Sequence, residues 1–183
     1  MPLPYLAMAG LQVYFCGSIR GGRQDRDLYA RIVDKLREYG RVLTEHVASE
    51  GCSERVIRFR ADDQSTANPR STREDAIRDG DKFIHDRDVQ WLELTDVVIA
   101  EVTQPSLGVG YELGRAVAMK KKVLCLFRPS SGRCLSAMVR GAEDGKRFFV
   151  KDYQEEDIEK LLEEYFRTTF PGSLVMQPGK DAC

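Results

Sequence analysis

The run Asp96–Val102, DVVIAEV, is almost continuously aliphatic and β-branched, with charge only at Asp96 and Glu101. A strand with one wet face alternates apolar and polar residues, whereas a strand covered on both faces does not, so this run marks the centre of a sheet sandwiched between helices. It leads into Thr103–Gly110, TQPSLGVG, and then into a helical stretch, YELGRAVAMKK. Strand, glycine loop and helix make half of a βαβ unit.

The same order recurs along the chain. Gln12–Ile19, QVYFCGSI, reads as a strand ending at Arg20-Gly21-Gly22, and Asp25–Tyr39 as a helix with Leu28, Ile32, Val33 and Leu36 on one face. Gly40 is placed as its C-cap, and Arg41–Val47 as a second strand. Lys82–Leu94 carries Phe83, Ile84, Val89, Trp91 and Leu92 as a buried helical stripe. Val123–Pro129 is a fourth strand, followed by a short helix around Leu135–Arg140, a strand near Phe148–Asp152 and an amphipathic helix, Glu155–Phe166. Five strands alternating with helices predict an α/β fold: a doubly wound five-stranded parallel sheet, flavodoxin-like and hence Rossmann-like, in a three-layer sandwich.

The boundaries are an N-terminal segment 1–11, one domain over 12–170 and a flexible tail 171–183. Between residues 48 and 79 the periodicity fails, and this irregular insertion reads as a lid or loop. Its arginines are offset by acids, which favours a solvated loop over a nucleic-acid patch. The whole chain agrees: 28 basic against 29 acidic side chains leave a net charge of −1 over 183 residues. Coating a nucleic-acid polymer or an anionic membrane takes a cationic excess that is missing here.

Five cysteines, Cys16, Cys52, Cys125, Cys134 and Cys183, form no C-x-x-C pair, which argues against a disulfide framework or a thiolate zinc site. His46 and His85 are far apart and lack a second ligand at helical spacing, so no metal is expected. The uncharged N-terminus, Met1–Ile19, is interrupted by Pro2 and Pro4 and has no basic residue before its apolar part, so it does not match a secretory signal. A cytoplasmic protein with access to the nucleus is the expectation.

In an open α/β sheet, ligands bind beyond the carboxyl ends of the strands. That rule singles out three loops, Gly17–Gly22, Thr103–Gly110 and Pro129–Ser136. The first offers unhindered backbone N–H groups, the Ser18 hydroxyl and the Arg20 guanidinium ahead of a helix, a combination that suits one small phosphate. It matches neither the dinucleotide nor the triphosphate glycine fingerprint, and taken alone it could be a simple turn. Ser106 and Ser136 repeat the hydroxyl theme in the other two loops. Glu112 falls in the first turn after Gly110, where it is either a capping acid or a carboxylate kept ionised by the helix dipole and aimed at the site. Asp88 borders the apolar face of the preceding helix. Two carboxyls in different surroundings are what glycosidic cleavage requires.

The segments YFCGSIRGG (Tyr14–Gly22), LTEHV (Leu43–Val47), IHDRDVQWL, DVVIAEVTQPSLGVGYELGRAVA and LCLFRP, with LSAM and RGA, resemble the nucleoside 2-deoxyribosyltransferase-like family. The likeness covers most of Val13–Phe166; the 48–79 segment departs from it by its length. Within that family the motifs look most like the members that hydrolyse 2′-deoxynucleoside 5′-monophosphates. The resemblance implies release of free base and 2-deoxyribose 5-phosphate through a covalent glycosyl-enzyme ester, with no cofactor. It further implies Glu112 as nucleophile, Asp88 as the acid assisting departure of the base, and Tyr14 as the phenol supporting the nucleophile. Ser18, Arg20, Gly22, Ser106 and Gly108 fall at family phosphate-binding positions, and Ile19 and His46 near sugar or base. Ser136 corresponds to a serine supplied by the partner subunit of a homodimer. A transferase that passes the sugar to a second base is the nearest alternative, and a non-catalytic nucleotide-binding regulator a more distant one.

Overall fold

The computed structural model describes residues 10–18, 25–44 and 73–171, without the side chains of 73–79. Its elements are β1 (Leu11–Cys16), α1 (Arg26–Leu36), β2 (Gly40–Val42), α2 (Arg73–Leu94), β3 (Val97–Glu101), α3 (Leu107–Ala118), β4 (Lys122–Phe127), α4 (Ala137–Arg140), β5 (Phe148–Asp152) and α5 (Ile158–Thr169). The five strands form one sheet in the order β2-β1-β3-β4-β5, every neighbouring pair parallel. This is the flavodoxin-like α/β order expected from the alternation of elements.

All five residues of β3 are buried, as its central place demands. Strand alternation divides them between two cores. Val13, Phe15, Val97, Ile99, Leu124 and Leu126 face α1 and α5, which return Ile32, Leu36, Ile158, Leu162 and Phe166. Tyr14, Cys16, Val98, Ala100, Val123 and Cys125 face the other way, against Leu92 of α2 and Val109, Leu113 and Ala116 of α3. The carboxyl ends of β1, β3 and β4 lie along one edge. The stretches after them, Gly17–Ser18, Val102–Ser106 and Arg128–Ser136, therefore share that edge.

Several local expectations change. Gly40 does not cap α1, which ends at Leu36 with Arg37 as its cap; Gly40 is the first residue of β2. A Cβ there would stand 1.9 Å from the Leu11 carbonyl oxygen, so the glycine is required by the close approach of β1. Strand β2 ends at Val42, short of the expected 41–47, of which 45–47 lie outside the described residues. The Leu43 N–H still donates to the Val13 carbonyl at 2.9 Å, and a side chain then takes over: the Thr44 hydroxyl accepts from the Phe15 N–H at 2.8 Å and donates to the Phe15 carbonyl at 2.6 Å.

Helix α2 starts at Arg73, inside the segment 48–79 that reads as irregular. Its mixed charge hides the period, because only Leu92 is buried among the described residues of the helix. Phe83 is exposed, and Ile84, Val89 and Trp91 are half-buried, so the anticipated stripe is not covered within one chain. Helix α3 starts at Leu107, four residues earlier than its sequence pattern indicates. Ser106 caps it by accepting from the Val109 N–H at 3.4 Å, and this cap draws the two glycines of the loop into the first turn.

Candidate active site

Tyr14, on the α2/α3 face of β1, is buried and donates its phenolic proton to Glu112 Oε1 at 2.7 Å. The earlier start of α3 puts Glu112 in its second turn, not its first. The capping reading therefore fails, and so does the expectation that the helix dipole dominates its charge. Burial instead pushes the Glu112 carboxyl up to about 7; the Tyr14 hydrogen bond opposes this and the Asp88 charge adds to it. Burial first, then the Glu112 charge, raises the Tyr14 phenol far above its ordinary range. Tyr14 thus stays a donor at any working pH.

Asp88 approaches from α2. Its carboxylate is 21% exposed and is forked by Arg87, with Nη2 at 2.8 Å and Nε at 2.9 Å from Oδ1. The Arg87 guanidinium lies 4.6 Å above the Trp91 ring, which anchors the pair to the helix surface. Tyr14, Asp88 and Glu112 are therefore brought together from three elements, β1, α2 and α3.

Ser106 and Ser136 meet elsewhere on the same edge. They share a cleft of about 450 Å³ with Val102, Val109, Leu113 and Val139, on the side of α3 that turns toward α4. Gly108 lies in the first turn of α3. Ser18 is buried at the end of β1. Ile19, Arg20, Gly22 and His46 lie outside the described residues.

Two features escape sequence reasoning. Cys16 sits two residues beyond Tyr14 on the same strand face, near enough to Glu112 that the acid's charge helps to raise its thiol; the alternation of β1 could have indicated it. On the opposite face, the fully buried Glu101 accepts from Thr103 and from Tyr153, the latter at 3.2 Å. The Arg128 Nε lies 3.7 Å from Glu101 while its Nη2 pairs with Asp25 at the entrance of α1. Burial raises the Glu101 carboxyl, opposed by Thr103 and Arg128. Nothing local in the sequence signals this cluster, since its members are far apart in the chain.

The family model for nucleoside 2-deoxyribosyltransferases matches residues 13–162. The chain belongs to that family. Members similar to it include a 5-hydroxymethyl-dUMP N-hydrolase of Esox lucius, 61% identical over 157 residues, covering 86% of this chain and 97% of that protein. The Homo sapiens protein of the same name is 55% identical over 166 residues, covering 91% and 85%. Among solved structures, a CMP N-glycosidase of Clostridium botulinum aligns with a TM-score of 0.53 at 18% identity, covering 84% of this chain and 98% of that one. At that identity the likeness establishes the shared fold. All of Tyr14, Asp88 and Glu112 fall inside the family match.

Proposed function

We propose that this family member hydrolyses the N-glycosidic bond of 2′-deoxynucleoside 5′-monophosphates, with 5-hydroxymethyl-dUMP as a substrate. The observation that carries the reading is the buried Tyr14–Glu112 pair beside Asp88, at the ligand-binding edge of a chain 61% identical to a 5-hydroxymethyl-dUMP N-hydrolase. An oxocarbenium-like centre at C1′ needs a carboxylate close by. In this reading the step starts with Glu112 ionised and Asp88 carrying a proton: a Glu112 oxygen bonds to C1′ as the C1′–N bond breaks, and the bonding pair leaves with the base, which takes the proton from Asp88. Water then attacks C1′ and gives a proton back to Asp88 as the ester bond breaks. The Glu112 carboxylate is restored, with retention at C1′.

Phosphate held by the loop after β1 and by Ser106 fixes C1′ against Glu112 from a distance, so binding energy is used for orientation. The working form is a homodimer in which Ser136 completes the neighbouring site. Support comes from Leu107, which lines the Ser106–Ser136 cleft at 97% exposure, from Met138 of α4 at 84%, and from the uncovered Phe83 on α2. The protein acts in the cytoplasm with access to the nucleus; the free thiols Cys16, Cys125 and Cys134 support a reducing compartment, and cell fractionation tests it.

The experiment is a product assay on a panel of deoxynucleoside and ribonucleoside monophosphates, with 5-hydroxymethyl-dUMP included. Free base and 2-deoxyribose 5-phosphate are the expected products. Added free base that emerged as exchanged nucleotide without sugar phosphate would instead establish a transferase, the activity after which the family is described.

A further inference from the structure

We propose that Arg87 is a positioning residue for Asp88: its guanidinium, stacked on the Trp91 ring, holds one carboxyl oxygen of Asp88 and leaves the other, with its proton, for the departing base. This role rests on the reading of Asp88 as the acid of the reaction. Arg87 and Asp88 are consecutive residues of α2, and consecutive side chains of a helix point about 100° apart, so they do not ordinarily face each other. Here they meet: Nε and Nη2 both reach Oδ1, at 2.9 Å and 2.8 Å. Trp91, one turn further along, lies 4.6 Å from the guanidinium and supports it over its ring. The indole is packed in turn against the core that contains Tyr14, Val109 and Leu113, where Leu92 beside it is buried. The fork is therefore tied to the body of the domain, unlike a solvated surface pair, which contributes little.

With Oδ1 committed to both nitrogens, the proton of the neutral carboxyl sits on Oδ2, and rotation that would exchange the two oxygens is restricted. As the C1′–N bond breaks, its electron pair goes to the base and the Oδ2 proton follows. The carboxylate left behind is met by two N–H donors already in place, and hydrogen bonds from a guanidinium to an ionised acceptor are stronger than those to a neutral one. Arg87 thus contributes more while the proton is leaving than to the resting acid, and only such a difference raises a rate. Water later returns a proton to Oδ2 as the Glu112 ester opens, which restores the starting state. A lysine at position 87 would supply the charge without the planar fork or a face to stack on the indole.

The test follows kcat/KM, which reports the first bond cleavage, in the full chain on two substrates. One is a 2′-deoxynucleoside 5′-monophosphate; the other is 2-deoxyribose 5-phosphate carrying 4-nitrophenolate at C1′, a leaving group that departs without a proton. On the nucleotide, Arg87→Met is expected to lose about tenfold to thirtyfold, a part of what a positioned acid contributes. On the nitrophenyl substrate it should stay within about twofold of wild type, which also shows that the variant is folded. Arg87→Lys should remain at least about threefold down on the nucleotide. When Asp88→Asn has already removed the acid, adding Arg87→Met should change the nucleotide rate by less than about twofold, because the two residues act as one unit. Equal losses on both substrates, full activity in Arg87→Lys, or undiminished loss on top of Asp88→Asn would overturn the role of Arg87 and leave the hydrolase reading standing. A wild-type chain that released neither base nor sugar phosphate would overturn the proposed function itself, and the role of Arg87 with it.

Discussion

At the residue scale, the site depends on a carboxyl whose surroundings disfavour its charged form. Burial lifts Glu112 from 4.5 to about 7, so near neutrality it is divided between acid and carboxylate. If the carboxylate attacks C1′, kcat/KM should climb with pH, pass its midpoint near about 7 and level off above it; a plateau reached already near the ordinary carboxylate range would contradict that role. The same shift has a thermodynamic counterpart. Below 4.5 both folded and unfolded states hold the proton; between 4.5 and about 7 only the folded state does, so stability falls across that window as pH rises. Glu112→Gln removes the ionisation. It should cut hydrolysis by about three orders of magnitude or more while raising stability at pH above about 8 by up to about 3 kcal/mol, with no gain near pH 4. Thermal melts at the two pH values, read beside the rate, check both halves.

At the scale of elements, the close approach of β1 to β2 and the buried cluster behind the site set separate demands. Gly40→Ala would drive a methyl into the Leu11 carbonyl at 1.9 Å, and only a backbone shift can relieve that contact. A loss of about 3 kcal/mol or more in chemical denaturation is expected, from breaking the β1–β2 register; a change under about 1 kcal/mol would mean that the edge strand yields easily. The cluster makes a different prediction. Arg128→Met leaves Glu101 buried without its cation and should cost about 3–5 kcal/mol, whereas adding Glu101→Leu to it should return much of the loss. Denaturation of the single and double variants separates the two, and equal instability in both would show that Arg128 acts through Asp25 instead.

These elements also mark where the sequence can be read and where it cannot. The strand β3 and the order of the sheet were legible because burial on both faces leaves an unbroken apolar run. The meeting of Tyr14, Asp88 and Glu112 was legible through the resemblance, but the turn of α3 that carries Glu112 was not. A serine cap at Ser106 recruited Leu107–Gly110 into the helix against the low helix propensity of its two glycines. Gly40 reads equally as a cap or as a strand residue until the path of β1 beside it is known. The ion pairs of Arg128 link positions 25, 101 and 155, and no local pattern encodes a contact of that range.

At the scale of the whole molecule, Ser136 belongs either to its own chain's pocket or, if the chain pairs, to a neighbour's, and the two make different predictions. Within one chain it lines the same cleft as Ser106, yet Leu107 of that cleft and Met138 of α4 are left uncovered at a cost that a second copy would relieve. If a dimer forms there, Leu107→Glu should shift sedimentation toward monomer and lower activity together. Ownership of the serine follows from mixing two disabled chains, Glu112→Gln and Ser136→Ala. Suppose Ser136 serves the partner's site. A mixed dimer then contains one site with both defects and one with neither, because the Ser136→Ala chain keeps Glu112 and receives Ser136 from its neighbour. Random pairing would put half the dimers in that state, so activity should recover to about a quarter of wild type. If Ser136 serves its own chain, each site in the mixed dimer keeps one defect and mixing gains nothing. The rate of the mixture, compared with the two variants apart, therefore distinguishes a pocket built by one chain from a pocket built by two.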